Sequence, residues 1–356
     1  MMKGKKVLSA IIILLLNFNI ACSKNMEETQ NVDLFNSKIA QDLAEEYLYL
    51  IKNNDLNSAN NLCTNKLLNE NKEINLGDSK LVAFANDSVI ESANSAYFTF
   101  NVIRNVEDSS RSDLDNYTIK VIRENKDYKI DEVKAMSQKQ AFVKNDSLRL
   151  IGENGGDSDL VMSLKNMFKD IYLKENKLML YKEQVVADKF GPISLGYKGQ
   201  RIAISTMGDN KTLIAIAYTD ENDKEKGSAS IDIQVSGGDI DGILDKPIAK
   251  RVITLDMLEN ITIKRLVFTK EEEYLIVEYL NDKSNNRINI YDTSNGDIIP
   301  INFDLMFPAE KYSITLKDFD ENKCIINVES KNNDIRNELL GEYKIDIRGK
   351  AIEKNI

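Results

Sequence analysis

Ile288-Asn289-Ile290-Tyr291-Asp292-Thr293-Ser294-Asn295-Gly296-Asp297-Ile298 is the stretch from which the fold is read. Apolar and polar residues alternate on the first limb. A polar segment ending in glycine turns the chain, and an apolar residue resumes on the other side. That is the pattern of a β-hairpin with one buried face. The same phrase occurs twice more. Ile231-Asp232-Ile233 leads to Gly238-Asp239-Ile240, and Tyr343-Lys344-Ile345-Asp346-Ile347 leads to Gly349-Lys350-Ala351-Ile352. The glycines at 238, 296 and 349 are 58 and 53 residues apart. Each phrase is preceded by another hairpin. Ile202-Ala203-Ile204 runs to Leu213–Ile216, Leu266-Val267-Phe268 to Tyr274–Val277, and Ile314-Thr315-Leu316 to Cys324–Val328. Three segments thus share one order: strand, turn, strand, long loop, strand, glycine turn, strand. Self-similarity at such a period marks a repeat architecture.

These segments resemble β-propeller blades, each a four-stranded antiparallel sheet, and the turn from Tyr291 to Asp297 is similar to the outer hairpin turn of propeller repeats. The resemblance implies a binding platform. A closed ring needs about four blades or more. Residues Leu148 to Leu160, a hairpin around Gly155-Gly156, are a candidate part of another. An open arc would need its edges covered by the rest of the chain or by a partner. A twisted β-sandwich is the alternative.

The first half reads differently. Ser37 starts a helix with Ile39, Leu43, Tyr47, Leu48 and Ile51 at helical spacing. Asn53-Asn54-Asp55 breaks it, and Asp55 caps a second helix carrying Leu56, Ala59, Leu62, Cys63 and Leu67 on one side. Strands are expected at Leu81 to Ile90, Ala96 to Val106, Tyr117 to Arg123 and Tyr128 to Val133, with a polar turn from Glu107 to Asp113. The run from Leu50 to Asp55, with Ala59 and Leu67-Leu68, and the hairpin bearing Tyr128 and Ile130, resemble small bacterial lipoprotein domains of the nuclear-transport-factor-2-like, cystatin-like class. That resemblance implies helices laid across a curved antiparallel sheet around a conical pocket. The expected fold is therefore an α+β N-terminal domain at 37–135, a bridge at 136–190, and an all-β region of propeller-like four-stranded repeats at 191–356. Within the bridge, Lys165 to Leu180 reads as irregular with one short helix.

The N-terminus supplies an address. Lys3, Lys5 and Lys6 precede an apolar run from Val7 to Leu16, which is shorter than the roughly 20 residues of a membrane span. Asn19-Ile20-Ala21-Cys22 resembles a bacterial lipobox. The resemblance implies a signal peptide at 1–21 and lipid on the Cys22 thiol, with Cys22 the first residue of the mature chain. Lipid chains contribute about 0.8 kcal/mol per buried methylene, and two or three together anchor stably. Residues 22–36 are polar and read as a tether.

Composition narrows the chemistry. The 356 residues carry a formal net charge of −10, which becomes about −13 without the three signal lysines. That balance disfavours nucleic acid, whose binding rewards basic surfaces. The chain has no histidine and no tryptophan. Ser-His-Asp triads, Cys-His pairs and histidine metal sites are therefore excluded. No glycine cluster forms a phosphate-binding loop; Gly237-Gly238 and Gly155-Gly156 read as hairpin turns. Asp318-Phe319-Asp320-Glu321-Asn322 has the oxygen spacing of a calcium loop, but Lys323 stands where that loop needs glycine. It reads as an acidic turn. Cys63 and Cys324 read as buried thiols, with a bridge between them left open.

The expectation is a lipoprotein on the outer face of a bacterial cell membrane (the outer membrane in a diderm), held through lipid on Cys22. It serves as a non-enzymatic binding or scaffolding module with a protein partner in the cell envelope. No catalytic, metal or cofactor residue is assigned, and no cofactor is expected. A small-molecule carrier or sensor using the pocket of residues 37–135 is the alternative. An envelope hydrolase acting through paired carboxylates is a third reading.

Overall fold

The computed structural model describes residues 35–70, 74, 76–106, 109–153, 155–167, 170–175, 179–220, 246–330 and 337–355. The signal peptide, Cys22 and the tether up to residue 34 lie outside the described residues. So do the hairpin of Ile231 to Ile240 with Gly237-Gly238, and the Lys-Glu stretch beginning at Glu221. The described chain is mostly β, arranged as several antiparallel sheets.

Helix α1 (Ser37–Lys52) begins where the Asn36 side chain accepts hydrogen bonds from the Lys38 and Ile39 amides. Ala40, Ala44, Tyr47, Leu48 and Ile51 form its buried face. Ile39, expected on that face, is half exposed at 50% because it lies on the opposite side of the first turn. Asn54, in the left-handed region at φ 59, ends the helix, and Asp55 caps α2 (Leu56–Asn61) through the Ser58 amide. The expected second helix is in fact two. The Ile130 backbone draws the chain out of helical geometry: Thr64 N donates to Ile130 O (2.8 Å) and Ile130 N to Leu62 O (2.9 Å). Thr64 then caps α3 (Asn65–Asn69).

One six-stranded antiparallel meander follows: β1 (Ser79–Glu91), β2 (Ser95–Val106), β3 (Arg111–Glu124), β4 (Asp127–Lys144), β5 (Ser147–Ile151) and β6 (Asp159–Ser163). Ser112 and Asp113, expected in a polar turn, lie inside β3 and are buried. β4 runs on past residue 135 because residues 139–142 keep pairing with the start of β3. Asn145 and Asp146, both at positive φ (51° and 57°), then turn the chain tightly into β5. The Leu148 to Leu160 hairpin accordingly extends this sheet rather than forming part of a separate repeat.

The long strands serve two cores. Phe98, Phe100, Tyr117 and Ile119 pack beneath α1. Ile103, Leu114 and Ala141, of the other parity, join the larger core of the second half. The described residues between 165 and 180 are not irregular beyond a short 3₁₀ turn (Leu164–Asn166). They enter a two-stranded hairpin, β7 (Asp170–Glu175) and β8 (Met179–Gln184).

Three further sheets follow. β9 (Lys189–Leu195), β10 (Arg201–Gly208), β11 (Lys211–Tyr218) and β12 (Arg251–Glu259) form a four-stranded meander. β13 (Thr262–Phe268), β14 (Tyr274–Leu280) and β15 (Asn286–Asp292) form a three-stranded one. The short α4 (Phe303–Met306) leads to β16 (Tyr312–Phe319), β17 (Lys323–Ser330), β18 (Gly341–Asp346) and β19 (Ala351–Lys354), again a four-stranded meander.

The first repeat is out of phase with its expectation. Ile202 to Ile216 is the central hairpin of its sheet, since β9 occupies one side and β12 the other. In the second repeat the fourth strand shrinks to one bridge between Tyr291 and Ile298. Gly296 is needed in that turn: its φ is 77°, and a Cβ there would lie 2.8 Å from the Thr254 carbonyl. In the last turn it is Lys350, not Gly349, that takes positive φ (54°).

Candidate functional site

β1, β9, β13 and β16 are each the terminal strand of their sheet. All four line one cleft of about 770 Å³. A terminal strand has only one hydrogen-bonded neighbour, so its outer backbone groups are open to another partner. The end of α1 closes one side through Lys52 and Asn53. The volume lies within the roughly 300–1,000 Å³ range of small-molecule pockets.

Alternation along the strands sets the lining. On β13, Ile263 and Leu266 are buried while Lys264 is exposed. On β16, Leu316 is buried beside the exposed Lys317. On β1, Leu81 is buried beside the exposed Lys80. The result is an apolar floor with a cationic rim. Among the described residues, the lining carries Lys52, Lys80, Lys264, Arg265 and Lys317 with the carboxylates Glu278 and Glu342.

Three of the cations are structural: Lys52 pairs with Asp318 at 2.9 Å, and the other two with the lining carboxylates. The Arg265 guanidinium meets Glu278 Oε2 through Nε (3.0 Å) and Nη2 (2.7 Å), and Nη2 also donates to the Leu316 carbonyl at 2.6 Å. Glu278 Oε1 in turn accepts from the Leu316 amide at 3.4 Å. The pair therefore fastens β16 to β13 and β14. Lys317 pairs across the sheet with Glu342, which lies below the usual glutamate range because the Lys317 ammonium donates to it. Asn105, on the β2 wall, has a buried carboxamide oxygen with no hydrogen-bond partner among the described residues. Buried polar atoms are nearly always paired, so this one stands out.

Lys52 separates the cleft from a smaller groove of about 340 Å³ lined by Asp42, Glu45, Glu46 and Asp318. The acidic run Asp318 to Asn322 covers the last two residues of β16 and the β16–β17 turn. Asp318 is paired with Lys52 and Asp320 with Lys270 (3.1 Å). Among the described residues no group of three or more His, Cys, Asp or Glu is placed to hold a metal ion.

Cys63 and Cys324 are both buried and unbridged. Burial pushes the Cys324 thiol up to about 12. The pocket side expected for residues 37–135, beneath α1, is packed with Tyr47, Leu48, Phe98, Phe100 and Tyr117. The residues of that segment which reach the larger cleft are Lys52, Lys80 and Asn105 with their neighbours.

No family model and no curated protein sequence matches the chain. Solved structures resemble it distantly. Hsv2 from Kluyveromyces lactis is 8% identical with a TM-score of 0.27, over 76% of this chain and 86% of that one. A puromycin-hydrolysing peptidase from Mycobacterium tuberculosis is 9% identical with a TM-score of 0.21, over 77% of this chain and 52% of that one. TolB from Acinetobacter baumannii is 9% identical with a TM-score of 0.19, over 71% and 77%. The likeness extends to their β-rich architecture and no further.

Proposed function

We propose that the chain is a lipid-anchored extracytoplasmic protein whose β-sheets act as a non-enzymatic binding module, with the cleft between β1, β9, β13 and β16 as its binding site. The observation that carries this reading is the convergence of four terminal strands on one cleft of about 770 Å³. The meander sheets support the resemblance to propeller blades. The packing of α1 across β1 to β4 supports an α+β N-terminal region like the lipoprotein domains it resembles.

The lipobox-like Asn19 to Cys22 supports anchoring at the outer face of the cell membrane. No helix among the described residues is long and apolar enough to cross a membrane. Palmitate labelling in the native host tests the anchor: Cys22→Ser should abolish label and release the protein from the membrane fraction, and a labelled Cys22→Ser protein would refute it. Photocrosslinking in cells from a reactive residue placed at Asn327, on the cleft wall, tests the module. Capture of an envelope partner or ligand is expected, and an absence of any adduct across growth conditions counts against it.

The carrier or sensor reading also has support, from a different place than the sequence suggested. The cleft takes one wall from residues 37–135 but lies between sheets, not beneath α1.

A further inference from the structure

The turn of the second repeat holds a reactive pair that plays no part in the proposed binding. Asn295-Gly296 joins a carboxamide side chain to a residue whose backbone nitrogen no side chain shields. The sequence has one other such pair, Asn154-Gly155. In an Asn-Gly pair the glycine nitrogen, once a base has taken its proton, attacks the asparagine Cγ. A C–N bond closes a five-membered imide ring, and the side-chain nitrogen leaves as ammonia. Water then opens the ring at either carbonyl, giving aspartate or isoaspartate. Nothing is oxidised or reduced, and water and base are the only co-reactants.

The native turn withholds the nucleophile. The Gly296 amide donates to the Asp292 carbonyl at 2.9 Å, which covers its proton and holds the Asn295–Gly296 peptide plane. Ring closure has to swing that plane until the nitrogen faces Cγ. The Asp292 amide returns a bond to the Asp297 carbonyl at 2.8 Å, so the plane swings only when the turn opens. The Asn295 side chain is held as well, since its Oδ1 accepts from the Asp297 amide at 2.7 Å. Gly296 is buried, and a Cβ there would lie 2.8 Å from the Thr254 carbonyl and 2.9 Å from Ile253 Cγ2. The turn has no slack for an altered backbone.

We infer that Asn295 is a latent modification site, closed in the native chain and reactive only after the turn bridged by Tyr291 and Ile298 has opened. The isoaspartate product carries one more backbone atom, which the turn packed against Thr254 does not admit. Local opening is ordinarily reversible. Here an opening that lasts until the ring closes becomes permanent, and the pair records unfolding of the second repeat in one direction only.

Peptide mapping by mass spectrometry of the full-length chain, incubated at pH 8 with and without guanidinium, tests this. The peptide carrying Asn295 is expected to gain one mass unit at least about tenfold faster in guanidinium. The peptide carrying Asn154 is read separately. Equal rates in the two conditions would overturn the protection, and an unchanged Asn295 in guanidinium would overturn the site. Refolding tests the consequence, with Asn154→Gln as the background so that the other pair is silent. Chains bearing isoaspartate at 295 should fail to recover the thermal unfolding of the parent. Asn295→Asp, which adds the charge without the extra atom, should recover it. Isoaspartate chains that refold like the parent would overturn the one-way step, and failure of Asn295→Asp as well would overturn the role of the extra atom.

Discussion

Lys52, the last residue of α1, places its ammonium 2.9 Å from Asp318, near the end of β16 and 266 positions further along the chain. The same ammonium lies 4.9 Å from the Tyr49 ring centroid and 5.8 Å from that of Phe319. The side chain is 8% exposed. The first helix and the last sheet are thus joined at one buried cation. Lys52→Ala should cost about 1–3 kcal/mol, since it leaves Asp318 without its partner and both rings without their cation. Urea midpoints check this, and Lys52→Arg should recover part of the loss.

Asp131 provides the pH dependence. Burial alone raises its carboxyl, but hydrogen bonds from Lys120 (3.0 Å) and Lys66 (3.4 Å) outweigh it and hold it below the usual aspartate range. A carboxyl depressed in the folded state contributes stability that is complete above the unfolded value, about pH 4, and is lost as pH falls through the lower folded value. Asp131→Asn should therefore lower stability by about 1–2 kcal/mol at pH 7 and converge with the parent near pH 2. Denaturant titrations at both pH values decide it.

The thiol of Cys324 should be inert in the native chain. Burial raises it to about 12, so almost no thiolate exists at pH 8. Iodoacetamide should leave Cys324 unmodified until denaturant is added. Mass mapping of the labelled peptide reads the result, and rapid native labelling would contradict the burial described here.

Gly196 is the point where the sheets of β9 and β13 come closest to a steric limit. A Cβ there would lie 2.7 Å from Glu272 Oε1. Glu272 is fixed in place: its Oε1 accepts from the Lys198 amide (2.9 Å) and its Oε2 lies 3.6 Å from Arg201 Nε. Gly196→Ala should destabilise by about 1–3 kcal/mol through overpacking. Thermal unfolding measures the loss. Glu272→Ala in the Gly196→Ala background should add less than it costs alone, because the clash is relieved.

The repeated hairpins were legible because each limb alternates and each turn carries a polar run ending in glycine. β14 to Ile298 and β16 to β19 follow that reading closely. The phase of the first repeat was not legible, and β9 shows why. Gly191 and Pro192 interrupt its apolar run, and Gly191 sits where Ser205 Oγ would lie 2.6 Å from a Cβ. β5 and β6 were read as a hairpin, but nothing local says which sheet they join. That is fixed by Ala141 and Val143 pairing with Leu150 and Leu148.

The cleft was hidden for a related reason. Its residues come from strands at opposite ends of the chain, and its lysines and asparagines, seen alone, read as polar positions on half-buried strands. Only the convergence of four strand edges turns Lys80, Lys264 and Lys317 into one rim. The buried pairing of Arg265 with Glu278 likewise leaves no local signal.

The helix α1 also sets a distance. Its 16 residues rise about 24 Å at 1.5 Å per residue. One end is held beside the β3–β4 hairpin, where the Asn36 amide donates to the Tyr128 hydroxyl at 2.7 Å. The other end is Lys52, in the cleft wall. The incoming polar segment therefore meets the body a full helix away from the cavity. In the proposed anchored protein, α1 is a rigid spacer that sets the start of the described body and the cleft at opposite ends of one rod.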